Sequence, residues 1–183
     1  FKSIAVDSLK GYVLAGGTRS FNNGDSQGWL LSINRDGCRR WEKTYGDKGE
    51  DAFNNITKTK DNGFVAVGSS ASFFSRGMKD VVMIKLDSLG QKLWMNLYGG
   101  KEDDIANAVS ESKDGGFIIT GETTSYGKGK SDILLLKTNQ LGTEKWKKTV
   151  GGIGVDIGNS VKELAKGGYI ISGTSTISNL SFD

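Results

Sequence analysis

Histidine and proline are both missing from this 183-residue chain, and cysteine occurs once, at Cys38. Without histidine there is no imidazole general base, no Ser-His-Asp arrangement and none of the commonest transition-metal ligand. A lone cysteine excludes an intramolecular disulfide and a cysteine zinc cluster. Proline averages about 5% of ordinary chains, so here the special turns fall to glycine, at 27 residues. No apolar run approaches the ~18 residues of a membrane span, and no membrane insertion is expected of this segment. The net charge is only +3, with lysines and acids mixed along the whole length. A nucleic-acid binder gathers its basic residues on one face or stripe, so no nucleic-acid partner is expected.

What is present is a repeat. Glycine followed by an aromatic occurs at Gly11-Tyr12, Gly63-Phe64, Gly116-Phe117 and Gly168-Tyr169, at intervals of 52, 53 and 52 residues. Trp41, Trp94 and Trp146 keep the same phase, as do Gly16, Gly68, Gly121 and Gly173, and Asp51, Asp104 and Asp156. Self-similarity at one fixed period marks a repeat architecture.

Within a unit the pattern predicts four short strands. In the second, Asn55 to Lys60 alternates around Ile56 and ends in the turn Asp61-Asn62-Gly63. Phe64 to Ser69 is aromatic and β-branched, and Val81 to Ile84 is a continuous apolar run, expected for a central strand buried on both faces. A tight turn at Leu89-Gly90 leads to a fourth strand carrying Trp94. Four antiparallel strands per unit of this length predict an all-β fold, a β-propeller of four-stranded blades. A β-helix would use shorter coils, and immunoglobulin-like sandwiches need about 100 residues each.

The unit at 113–121 (KDGGFIITG), 131–139 (SDILLLKTN), 141–146 (LGTEKW) and 150–152 (VGG) resembles the β-propeller repeats of secreted and cell-surface bacterial and archaeal proteins. The likeness covers essentially the whole chain and implies the fold far more than a function. The Gly-x-x-x-Trp element (Gly37/Trp41, Gly90/Trp94, Gly142/Trp146) is also similar to the tryptophan-docking motif of quinoprotein propellers. The repeat is longer here and the preceding Asp or Asn is spaced differently, so no quinone cofactor is carried over.

In ring register the blades run 1–50, 51–103, 104–155 and an incomplete 156–183, all within one domain. Ser3 to Asp7 is an inner strand a, and Asp183 falls where strand c of the fourth blade should begin. About three and a half blades are therefore expected here, as part of a larger propeller. Since Phe1 is not a methionine, a leader or upstream region is expected before it.

The tryptophans, one per blade, are expected to pack between sheets; a platform for a sugar or quinone is the sharper alternative. The glycine pairs lack a following helix to present an anion site, so they are turn glycines. Asp51, Asp104 and Asp156 are expected to accept backbone N–H bonds at the passage to the next inner strand. A calcium site drawing on Glu50, Asp51, Glu102, Asp103 and Asp104 would lack the alternating oxygen spacing of an EF-hand-like loop. Cys38 is expected near solvent without a role. No catalytic, cofactor or metal residue is assigned.

The b–c loops are longer, Thr18 to Gln27, Ser70 to Lys79 and Glu122 to Ser131, and each carries an aromatic in phase: Phe21, Phe73 and Tyr126, with Phe74 beside the second. Long loops over a rigid scaffold are the usual place for binding. Those aromatics either anchor a partner or fold back onto the neighbouring blade. The expectation is a non-enzymatic extracellular or cell-surface scaffold mediating protein or glycan contacts, or assembling with other copies. A propeller hydrolase or lyase with its site in further blades, and an intracellular scaffold of the WD-repeat kind, are the alternatives.

Overall fold

The computed structural model describes residues 1–7, 11–20, 24–72 and 78–176. Its fourteen elements are all strands: β1 (Ser3–Val6), β2 (Tyr12–Thr18), β3 (Gln27–Ile33), β4 (Arg39–Tyr45), β5 (Asp51–Lys58), β6 (Phe64–Ser70), β7 (Asp80–Leu86), β8 (Lys92–Tyr98), β9 (Asp104–Glu111), β10 (Phe117–Thr123), β11 (Asp132–Thr138), β12 (Glu144–Val150), β13 (Asp156–Glu163) and β14 (Tyr169–Ser175). They form antiparallel meanders of four, four, four and two strands, β1 to β4, β5 to β8, β9 to β12 and β13 with β14. The described sheets stay separate and do not close into a barrel. The first strands lie in succession, β1 beside β5, β5 beside β9 and β9 beside β13. This order is consistent with a propeller-like repeat.

The alternation along each second strand explains why the sheets stack face to face. Phe64 and Ala66 of β6 point into a cluster shared with the first sheet, with Val13, Leu30 and Phe53. Val65 and Val67 point the other way, to Phe117, Ile119 and Leu136 of the third. Strand β7 is buried on both faces: Val81, Met83 and Ile84 are fully inaccessible and Val82 nearly so, as its unbroken apolar run predicts.

The inner strand starts earlier than its apolar pattern suggests, at Asp51 and not Asn55. A bulge is the cause. The register of β5 on β6 slips between Phe53 and Asn55, so the buried side chains are Phe53 and Ile56, three residues apart, and a period-2 reading loses the strand there. The same slip recurs in β9 and β13, leaving Asn54, Asn107 and Asn159 as the extra residues.

The bulge dictates one glycine series. A Cβ at Gly68 would lie 1.9 Å from the Ala52 carbonyl oxygen, and one at Gly121 only 1.8 Å from that of Ile105. A second series meets the third strand: a Cβ at Gly11, Gly63 or Gly116 would lie 2.3, 2.3 or 2.1 Å from the oxygen of Ile33, Leu86 or Thr138. Gly121→Ala is therefore expected to destabilise by about 1–3 kcal/mol through forced backbone displacement. Gly152→Ala, where nothing lies within 4 Å, should be near neutral. Denaturant melts of the two variants check this, and equal midpoints would refute the close-approach account.

A third set joins neighbouring sheets. Gly90 and Gly142 sit in the third-to-fourth-strand turns at φ +78° and +76°, the left-handed region open to glycine. Their turns are built alike: the Asp87 carboxylate accepts from the N–H groups of Leu89 (2.9 Å) and Gln91 (2.7 Å), and the Asn139 amide oxygen from those of Leu141 and Thr143 (both 2.9 Å). The Trp41 ring lies over Gly90, and that of Trp94 over Gly142, so close that a Cβ would sit 2.5 Å and 2.9 Å from ring carbons. Each half-buried tryptophan thus docks on the next sheet's turn, which is packing between units. Trp94→Ala should cost about 3 kcal/mol, the low end for a tryptophan truncation because the ring is partly exposed. Trp146 packs edge-on against Tyr169 at 5.8 Å between centroids, without a described turn above it. Its truncation should cost less, as thermal melts of the two variants would show.

Candidate functional site

The loops joining second to third strands and the passages between sheets emerge at one end of the stack, and two open clefts lie there. The larger, about 620 Å³, is lined by Lys2, Arg19, Glu50, Asn54, Ser69 and Lys79 among others. Arg19 pairs with Glu50 at 2.9 Å, both well exposed. Lys2 Nζ donates to the Asn54 side-chain oxygen at 2.8 Å. Asn54, the bulge residue of β5, spends its amide nitrogen on the Ala106 carbonyl at 2.9 Å, and Asn107 repeats this bond to Gly158 at 3.1 Å. These asparagines tie successive inner strands together. Asn54, Asn107 and Asn159 follow the repeat interval, a signal the apolar and glycine series overshadow in the sequence.

The second cleft, about 530 Å³, is lined by Asp80, Leu97, Tyr98, Gly99, Tyr126, Glu144 and Lys147. Of the four loop aromatics expected at a binding face, Phe21, Phe73 and Phe74 lie outside the described residues. Tyr126 is half-buried and turned back on the preceding unit. Its hydroxyl donates to the Gly99 carbonyl at 2.7 Å, and Lys147 Nζ lies 3.7 Å from the ring centroid, a cation–π contact. One ring face is thus taken and the hydroxyl satisfied. Tyr98 beside it donates to the Gly142 carbonyl at 2.5 Å; burial, helped by the charge of Glu144, pushes its phenol well up and keeps it protonated.

The acids of this face are mostly anchors. Asp104 accepts from the Gly100 N–H at 2.8 Å and the Ser125 hydroxyl at 2.7 Å, and Asp156 accepts from the Gly152 N–H at 2.8 Å. Asp51 accepts from the Ser72 hydroxyl. All three open inner strands; Asp104 and Asp156 hold the passage before them by backbone N–H bonds, the role expected from their recurrence, while Asp51 meets a loop hydroxyl instead. Asp132 adds an anchor that the sequence pattern does not single out, accepting from the N–H groups of Lys128 and Gly129 at 3.0 Å each. Glu122 is raised by burial and by the nearby Asp103 charge. Among the described residues no group of three or more carboxylate, imidazole or thiol side chains could hold a metal ion. Cys38 is exposed.

The opposite end carries charge pairs of a different kind. Lys85 and Lys137, each about 5% exposed, reach back to Asp61 at 2.8 Å and Asp114 at 2.9 Å in the first-to-second-strand turns. Burial raises the Asp61 carboxyl, but bonds from Lys85, Thr59 and the Gly63 N–H, with the charge of Lys85, outweigh it and hold it at about 2. Lys137 and Lys145 hold Asp114 well below the carboxylate range. Lys60 reaches the next unit, its N–H to Glu111 at 2.7 Å and its Nζ to the Ser112 carbonyl at 2.9 Å; Lys113 does the same to Glu163 and Leu164.

No protein-family model matches the chain, and no curated protein matches it in sequence. In structure it is similar to a protein of unknown function from Bacteroides caccae, with a TM-score of 0.53 at 10% identity, covering 93% of this chain and 52% of that one. It also matches Sqt1 from Chaetomium thermophilum at a TM-score of 0.47 and 12% identity, over 91% of this chain and 38% of that one, too low to bear on the fold. The chain thus spans about half the length of the first neighbour and less of the second. The first likeness supports the all-β repeat architecture and carries no activity.

Removing the Tyr126 hydroxyl isolates its anchoring role. Tyr126→Phe should destabilise by about 0.5–1.5 kcal/mol, the net worth of one hydrogen bond. A denaturant midpoint identical to the parent's would mean that the loop does not depend on Gly99.

Proposed function

We propose that the chain is part of a β-propeller that acts as a non-enzymatic scaffold, extracellular or on the cell surface, contacting protein or glycan partners through the end that carries its long loops. The observation that supports this reading is the contrast between the two ends. At one, lysine bridges and short turns surround a smaller cleft of about 410 Å³, lined by the apolar Leu93, Trp94, Phe117 and Leu141 beside the Asp61–Lys85 pair. At the other, two polar clefts open between units whose backbone is fixed by Asp, Asn and Ser anchors. A preorganised rim with exposed Lys, Arg and Glu suits polar ligands, because little ordering entropy remains to be lost on binding. An enzyme role has no support from the structural neighbours, the first of unknown function.

The test is a solution binding screen against soluble oligosaccharides and extracellular-matrix proteins, with Arg19→Ala/Lys79→Ala as the comparison. Both residues line the larger cleft, and neither supports the core. The reading expects at least one ligand bound by the parent and weakened about tenfold or more in the variant, with unchanged thermal midpoint. Ligands bound equally by both would place recognition elsewhere, and turnover of any ligand would overturn the non-enzymatic assignment.

A further inference from the structure

The second unit breaks the repeat at a position where its neighbours agree. The residue before the recurring tryptophan is a cation in the first and third units, Arg40 and Lys145, and a leucine in the second, Leu93. Arg40 pairs with the Asp7 carboxylate at 2.6 Å, and Lys145 pairs with Asp114 at 2.9 Å. Leu93 has no charge to offer and stands 56% exposed. It lines the cleft of about 410 Å³ at the short-turn end, between the second and third units. Trp94 and Phe117 lie along this cleft, edge-on to each other at 5.9 Å between centroids. Leu141 of the third unit adds a second apolar side chain, 71% exposed. A single exposed leucine is ordinary on a protein surface, but here two share a cleft with aromatic rings.

The cleft is also short of positive charge. Its ionisable lining consists of Asp61, Glu111 and one ammonium group, Lys85. In the third unit Asp114 holds two lysines, Lys137 and Lys145, at 2.9 Å each. Asp61 is the equivalent carboxylate, and among the described residues Lys85 is its one cationic partner, at 2.8 Å. The Thr59 hydroxyl and the Gly63 N–H both donate to Asp61 Oδ1. Oδ2, the oxygen that takes Lys145 in Asp114, is left with Lys85 alone. Glu111 is only partly met: Lys60 donates its backbone N–H to Oε2, while its ammonium stays 3.9 Å from Oε1 and donates to the Ser112 carbonyl.

We propose that this cleft docks an arginine of a partner polypeptide. Its guanidinium takes on Asp61 Oδ2 the place that Lys145 takes on Asp114, and apolar side chains next to it rest on Leu93, Trp94 and Leu141. Charge complementarity selects the occupant, because what the second unit lacks is the cation that its neighbours carry themselves. Arginine suits the site better than lysine: the guanidinium is weakly hydrated, pairs with carboxylates and stacks on aromatic faces. An exposed ion pair alone is worth little; apolar walls that exclude water around it make it count. The cleft lies at the end opposite the long loops, so it stands apart from any recognition there.

The test follows the Trp94 indole N–H by NMR in the ¹⁵N-labelled 183-residue protein, its signal assigned by its loss in Trp94→Phe. The probes are acetyl-Leu-Arg-Leu-amide, the same peptide with uncharged citrulline for arginine, and maltotriose, each titrated to millimolar concentration. The arginine peptide should shift the Trp94 signal and bind about tenfold or more tightly than the citrulline peptide, the difference one charge-assisted hydrogen bond makes. Leu93→Arg, which restores the cation of the first and third units, should abolish the shift while the spectrum stays dispersed and the thermal midpoint does not fall. Equal binding of the two peptides, no Trp94 shift with the arginine peptide, or a shift that survives Leu93→Arg would each overturn the proposal. A Trp94 response to maltotriose alone would overturn it in favour of a neutral glycan.

Discussion

A single four-stranded sheet has two faces and no interior of its own. In this chain the central strands of the second sheet are inaccessible on both faces, so each unit owns half of two cores and the whole of none. Everything else follows from that. Burial of a strand such as β7 is achieved only when a neighbour arrives on either side, so the sequence must encode the neighbour's position as firmly as its own hairpins. Where no described unit covers a face, the cost is visible: Ile4, Val6 and Tyr12 on the outer side of the first sheet are exposed, whereas Ile56, Phe64 and Ala66 are buried.

Three kinds of contact fix that position, from the first strand of each sheet to the turn before its fourth. The asparagine bulges join inner strand to inner strand, alternating apolar side chains fill the middle, and the tryptophans settle on the next unit's left-handed glycine turn. The glycines serve three unlike purposes: avoiding a bulged backbone at Gly68 and Gly121, avoiding a third-strand carbonyl at Gly63 and Gly116, and adopting positive φ beneath a ring at Gly90 and Gly142. Because each purpose acts once per unit, all three appear in sequence as one shared period, and composition alone does not separate them.

That shared period made the strands, the doubly buried β7 and the inter-sheet tryptophans legible in the sequence. The first residues of the inner strands were not, because the bulge at Asn54 breaks the two-residue alternation there. The asparagine bridges were hidden for another reason: a polar residue on an inner strand reads as surface until the facing carbonyl is known. The sequence leaves Tyr126 open between partner contact and packing for a similar cause. Its phase says which loop it belongs to, while its direction depends on Gly99 and Lys147, which lie 27 residues before and 21 residues after it.

The same rules leave few places where units can differ without disturbing the stack. At the end with the short turns, variation has to be compensated within the unit, as the paired Asp61 with Lys85 and Asp114 with Lys137 show, or between units, as Lys60 with Glu111 shows. A change of sign at one partner obliges a change at the other. The loop-bearing end holds fewer such charge pairs, Arg19 with Glu50 being one. Several of its anchors are side chains bonded to backbone N–H groups, as at Asp104 and Asp132, and backbone is indifferent to the identity of the residues it carries. Loop sequences there can diverge while the frame persists, which is the physical condition for a repeat scaffold to acquire specificity in one unit without loss of stability in the next.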